Sequence, residues 1–198
     1  EFYIIQKISV KNYEIEATFQ RNLKVIEIAD KIMHLTSIET IYQIILKEIL
    51  ELYNYDIGNI LMERDKFLVT VAGYTRDEEL HGAITAKIRE EFRGNDLTID
   101  YSSGAAAIAF IRNASQYYFD MFPMINLPMP ERVKRFLNLC KTPHSFLLSP
   151  ILHNQKPIGI LQIFTLKEPV LLTEADIKTI KTLCSFIGTA IANAELYS

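Results

Sequence analysis

Apolar side chains recur along the first 36 residues on a helical repeat. Ile8, Ile15, Asn22 and Ala29 stand seven apart, as do Asn12, Phe19, Ile26 and Met33, and together they make an a/d seam of about four heptads. Segment 3–36 contains no Gly or Pro, which predicts one long helix. That helix either pairs with a second copy through the seam, its Asn residues fixing register, or lies on its own domain. Ser37 is placed to cap a second helix whose inner stripe is Ile38, Ile41, Ile45, Ile49 and Leu52. Beyond Asp56 the texture changes to short apolar runs. Ile57–Met62 and Phe67–Ala72 read as strands joined by the polar turn Glu63–Lys66, with Gly73 breaking the second.

Helical turns over Arg76–Leu80 and Thr85–Phe92 follow, then a short strand at Leu97–Asp100. Gly104 opens a helix of small residues, Ala105–Ile111, and Gln116–Phe119 returns as a strand. Pro123, Pro128 and Pro130 mark a long loop, and Pro130 suits the first turn of a helix over Glu131–Cys140. Ser145–Leu152 and Ile158–Leu166 are strands of a hairpin turned by residues 153–157. Thr173, with Asp176 three positions on, starts a last helix with Ile177, Ile180, Cys184, Ile187, Ile191 and Ala194 on one face. Helices at both ends of a hairpin-rich middle predict an α+β domain with a mainly antiparallel sheet. The expected division is a dimerisation and signalling helix over 1–36 and a globular domain over 37–198.

Composition narrows the function. A chain of 198 residues, 49% hydrophobic and 23% charged, has room for a sizeable core. Its net charge of −3, without a dense Lys/Arg stripe, argues against nucleic acid as a partner. No apolar run approaches the roughly 18 residues of a membrane span, so no membrane contact is expected of this segment. The chain opens on Glu rather than Met, which suggests a piece of a longer protein. Cys140 and Cys184 stand apart, without a CxxC or Cys/His cluster, which argues for a reducing, cytoplasmic compartment and against a metal site. No nucleophile–base pair and no phosphate loop with Lys is visible, so no enzyme activity is expected.

Three motifs in order resemble the GAF domain family. Thr173–Asp176, followed by the run from Ile191 to Tyr197 (Ile-Ala-Asn-Ala-Glu-Leu-Tyr), looks like the family's closing helix. Leu148-Ser149-Pro150-Ile151-Leu152 and then Ile158-Gly159-Ile160-Leu161 are similar to its paired strands. Gly104-Ala105-Ala106, with a strand ending at Phe119-Asp120, resembles its pocket helix and following strand. The resemblance spans roughly residues 35–198. It implies about six antiparallel strands, terminal helices on one face, and helices and loops roofing a ligand pocket on the other. It also implies a non-covalent ligand, and a covalently attached output domain such as a diguanylate cyclase, phosphodiesterase, nucleotide cyclase or histidine kinase.

The residues themselves point to where a ligand would sit. Ile158, Ile160, Gln162 and Phe164 share one strand face, and Ile57, Asn59 and Leu61 share another, so Gln162 and Asn59 interrupt apolar rows. A buried amide left unpaired costs about 1–3 kcal/mol, so these two either bond to each other or the backbone, or face a ligand. In cyclic-nucleotide-binding members the matching positions contribute polar contacts, and Ala105 and Ala106 fall where backbone amides meet the phosphate. Small side chains at the start of that helix suit an anion, with Ser102 and Ser103 as caps, or they only allow tight packing. Gly73 beside the pocket, and Arg135, Asn138 and Thr142 as a lid, complete the candidate set.

Departures from the family are equally informative. The Asn-Lys…Phe…Asp-Glu signature of phosphodiesterase-type members is missing. Cys140 is followed by Lys141 rather than by the His of a bilin-binding pair, and the sulfoxide-reductase branch needs more cysteines. The expected function is a regulatory sensor for a small molecule, foremost a purine cyclic nucleotide such as cAMP or cGMP. The alternative is a ligandless homodimerisation and signal-transmission module.

Overall fold

A computed structural model describes residues 2–92, 94, 96–124, 126–141 and 143–196. Helix α1 spans Phe2–Met33 and α2 spans Ile38–Tyr53, with the Ser37 side chain accepting from the Thr40 amide. Strands β1 (Ile57–Arg64) and β2 (Phe67–Thr75) lead to α3 (Glu78–Glu91), capped by Asp77, and to the short β3 (Leu97–Thr98). Then come α4 (Ala105–Arg112), β4 (Gln116–Tyr118), α5 (Glu131–Leu139), β5 (Phe146–His153), β6 (Lys156–Phe164) and α6 (Glu174–Glu195). The two predicted turns of helix after β2 are thus one helix.

The strands form one antiparallel sheet in the order β3-β2-β1-β6-β5-β4. Both hairpins turn more tightly than predicted. Asp65-Lys66 and Asn154-Gln155 all take left-handed φ, between +49° and +69°. Two such residues make a turn whose twist matches that of the strands, so pairing continues almost to the tip.

Alternation divides the sheet into two faces. The face carrying Ile60, Met62, Leu147, Leu161 and Ile163 is sealed by α1, α2 and α6. Ile41, Ile45, Leu46 and Ile49 from α2 and Ile180, Leu183, Ile187 and Ile191 from α6 are fully buried there. Gly188 lets α6 lie on β5, since a Cβ would stand only 2.0 Å from the Leu152 carbonyl oxygen. Thr173 and Asp176 form a complete capping box at the start of α6.

Helix α1 has two different halves. Val25, Ile28, Ala29 and Ile32 enter the core, while Arg21 meets the buried Asp176 at 3.2 Å and Thr179 donates to Asn22 at 3.1 Å. From residue 6 to residue 16 every side chain is exposed. Ile8, Ile15, Phe19 and Ile26 form an exposed stripe, turned by about a third of a revolution from the buried one at 100° per residue. Among the described residues no helix is long and apolar enough to cross a membrane.

Candidate functional site

The second sheet face is floored by β1, β2, β4, β5 and β6 and roofed by α3, α4 and α5. Its smaller core comprises Ile57, Leu61, Leu68, Leu97, Ala107, Ala109, Cys140, Phe146, Leu148, Ile160 and Phe164. Strand register sorts the floor into rows. Ile57, Phe164, Phe146 and Tyr118 stand side by side on β1, β6, β5 and β4. Phe146 and Phe164 stack with centroids 5.6 Å apart, and Phe136 of α5 meets Phe164 edge-on at 5.3 Å. Leu61, Ile160 and Pro150 make a second apolar row.

A polar row runs between them. Gly73, Asn59, Gln162, Leu148 and Gln116 are successive partners across β2, β1, β6, β5 and β4. Asn59 and Gln162 are therefore nearest neighbours on adjacent strands, and both are half-buried. Neither side chain hydrogen-bonds to the other or to any other described residue. Gln116 was not anticipated. Its Oε1 accepts from the Tyr118 hydroxyl at 2.8 Å. The available signal was a carboxamide in an otherwise apolar strand, the same signal that marks Gln162.

Gly73 corrects a sequence expectation, because it lies inside β2 rather than ending it. A Cβ there would stand 2.9 Å from Asn59 Oδ1, so the missing side chain makes room for the neighbouring amide. Asn59, Gly73 and Gln162 are thus brought together by the sheet.

The remaining candidates are placed elsewhere. The residue capping α4 is Gly104, at φ +112°, with no side-chain cap bond. Ser102 donates instead to Asp100 Oδ1 at 2.6 Å, and hydrogen bonds from Ser102 and Ser103 hold the Asp100 carboxyl below its ordinary range. The expectation that Ser102 and Ser103 cap α4 fails because this carboxylate captures their hydroxyls first. Ala105 and Ala106 are half-buried against the roof core, and Val133 of α5 covers the start of their helix at Gly104.

Arg135 lies on the outer side of α5, paired with Glu91 at 3.2 Å. Asn138 is exposed and lines an open cleft of about 650 Å³ with Asn126, Leu127, Pro128 and Lys134. Thr142 and Tyr197 lie outside the described residues. Phe136 and Leu137 of α5 and Cys140 just past its end are turned inward, beside a half-buried Arg132 stacked 5.0 Å over Phe92.

A second polar cluster ties the start of β1 to α3 and to the segment after β6. Buried Asp56 accepts from Arg76 Nη2 at 3.0 Å and from the Leu166 amide at 2.8 Å, and His81 Nε2 of α3 stands 3.8 Å away. Both cysteines are packing residues. Burial pushes the Cys140 thiol up to about 12, and the fully buried Cys184 is raised by the same cause.

This arrangement, with three helices on one face of a six-stranded antiparallel sheet and a roofed polar floor on the other, meets a family match. The family described as GAF domain matches residues 36–192. This chain belongs to the GAF domain family. Solved structures agree with the fold. The GAF domain of a phosphoenolpyruvate-protein phosphotransferase from Coxiella burnetii is 17% identical with a TM-score of 0.68, covering 91% of this chain and 97% of that one. The GAF domain from the Acinetobacter phosphoenolpyruvate-protein phosphotransferase is 19% identical with a TM-score of 0.62, covering 88% and 94%. A free methionine-R-sulfoxide reductase from Neisseria meningitidis, solved with its substrate, is 11% identical with a TM-score of 0.62, covering 88% and 89%. No protein of curated function matches the chain.

Proposed function

We propose that this GAF domain is a non-enzymatic, cytoplasmic sensor within a larger signalling protein, holding a small molecule between the sheet and its roof. The observation that supports this reading is the pair Asn59–Gln162, two half-buried amides side by side with hydrogen-bonding capacity unspent on described residues. A purine edge carries the complementary donors and acceptors, so cAMP and cGMP are the first ligands to test. Isothermal titration of the whole chain should give saturable heat with one of them, lost in Gln162→Met. Absence of heat from both would remove the cyclic-nucleotide version.

Ligand binding regulates only if it favours one arrangement of the terminal helices over another. The exposed stripe on α1 supports a homodimer as the element so biased. The stretch 6–16, exposed throughout, is short enough to be marginal as an isolated helix in water, and Ile8, Ile15, Phe19 and Ile26 gain cover in a second copy. The output domain would be a diguanylate cyclase, phosphodiesterase, nucleotide cyclase or histidine kinase. A ligandless dimerisation module is the second reading, favoured by the docking of Phe136 onto Phe146 and Phe164, which fills part of the roofed face.

A further inference from the structure

Two copies of α1 can be laid together in only a few ways, and the side chains at and beside the seam separate them. Ile8, Ile15 and Asn22 stand at d positions of the heptad, and Asn12, Phe19 and Ile26 at a positions. That assignment puts Lys11 at g and Glu16 at e, one on each flank of the seam. Every side chain from 6 to 16 is exposed, and Ile8, Ile15, Phe19 and Ile26 are each more than half exposed. Beyond Ile26 the seam is taken up, because Ala29 and Met33 pack against the protein's own core. The open stretch, residues 8–26, runs about 27 Å at a helical rise of about 1.5 Å per residue.

In a parallel pair each a or d residue faces its own counterpart. Asn12 then meets Asn12 of the second copy, and each carboxamide has a donor for the other's acceptor. Lys11 at g reaches the e position five residues further along the second copy, which is Glu16, and twofold symmetry makes that ion pair twice. Glu16 also accepts from Gln20 of its own helix at 2.9 Å, and a carboxylate has acceptor sites for both.

In an antiparallel pair a faces d, so Asn12 lies opposite Ile8, Ile15 or Asn22. The first register sets Lys11 against Lys11, and the last sets Glu16 against Glu16. The middle one presses a carboxamide onto isoleucine without a partner. Each antiparallel register therefore carries a repulsion or an unpaired amide that the parallel one avoids.

We propose that two copies of this chain pair in parallel through residues 8–26 of α1, in register at Asn12, with Lys11 of each bonded to Glu16 of the other. The proposal rests on the homodimer reading and fixes its orientation and register. It also sets both globular domains at the same end of the seam, so that a shift in either one acts on the same two helices.

The test uses the whole chain with one thiol added to α1. Cys140 and Cys184 are buried and do not compete under mild oxidation. In a parallel pair the two residues at position 15 face each other at a Cα spacing of about 6 Å, which a disulfide spans. Ile15→Cys should therefore give a disulfide-linked dimer on a denaturing gel. Val10→Cys, on the opposite side of the helix, should not. Sedimentation equilibrium measures the non-covalent dimer. Glu16→Lys should weaken it at least about threefold, with a larger loss at low salt. Adding Lys11→Glu to Glu16→Lys should restore the parent's affinity, with circular dichroism unchanged throughout. A dimer in which Ile15→Cys fails to cross-link, or in which the charge exchange fails to restore affinity, overturns the parallel register and leaves the homodimer reading standing. A chain that sediments as a monomer at every concentration up to about 1 mM overturns both.

Discussion

The two faces of the one sheet are built to different rules. On the helix-sealed face, Ile45, Leu46, Ile49, Leu161, Ile163, Ile180 and Ile187 interlock, the strand row being broken by a small buried hydroxyl, Ser149, which pairs with Ser115 at 3.0 Å, and close approach at Gly188 leaves α6 no slack. On the roofed face, a row of carboxamides runs between an aromatic and an aliphatic row, and the covering helices touch the floor through small or single anchors such as Ala107, Ala109 and Phe136. The same strands supply both faces. What differs is whether helices chosen for density or helices chosen for access lie on top.

The largest effect that follows is on stability. Ile187→Ala should cost about 2–5 kcal/mol, because it empties a fully buried site whose surroundings cannot collapse. Gln162→Met should change stability by less than about 1 kcal/mol, since the half-buried amide it replaces has no described partner to lose. Urea unfolding of both variants measures the contrast. Equal costs would mean that the two faces are packed alike.

A second, smaller contrast is kinetic, and the protein carries its own pair of probes. Cys184 belongs to the sealed core and Cys140 to the roofed one, and both are buried in the native state. With the thiols protonated and inaccessible, a thiol reagent must wait for an opening. Cys140 should label at least about tenfold faster than Cys184, equivalent to about 1.4 kcal/mol less opening free energy, because α5 can lift without disturbing α6. A bound ligand should slow Cys140 and leave Cys184 unchanged. Mass spectrometry of timed labelling reactions reads both rates, and identical rates would place both thiols in one cooperative unit.

The same contrast explains what could be read from the chain. Elements whose signal is periodic were legible: α1 as one long helix, the inner stripe of α2, the β5–β6 hairpin, and the capping box at Thr173–Asp176. So was the polar break that Asn59 and Gln162 each make in its own strand, although only the pairing of β1 with β6 makes them neighbours. What was hidden depends on neighbours that only pairing reveals. Gly73 looks like a strand breaker along β2 and becomes a space for Asn59 only across the ladder. Gln116 joins the amide row only once β4 is in register with β5. Ser103 resembles a cap until Asp100 competes for it. The orientation of α5 could have been found, because Val133, Phe136, Leu137 and Cys140 already stand three and four apart and leave Arg135 and Asn138 outside.

The smallest expected effect concerns the charge at the roof. Hydrogen bonds from Ser102 and Ser103 favour the ionised Asp100 carboxyl, so its folded-state value lies below the ordinary 3.8 that it regains on unfolding. A depressed acid contributes stability that is fully present above the ordinary value and is lost as pH falls through the folded one. Asp100→Asn keeps oxygen and shape for the same turn but removes the charge. Its melting temperature should therefore lie slightly below that of the parent at pH 7, with the gap closing under acid. The gap should be small because the carboxylate is exposed to solvent. Melting curves from pH 7 to about 3 measure the gap. A variant whose gap widens under acid would show that the turn is not held by the ionised form.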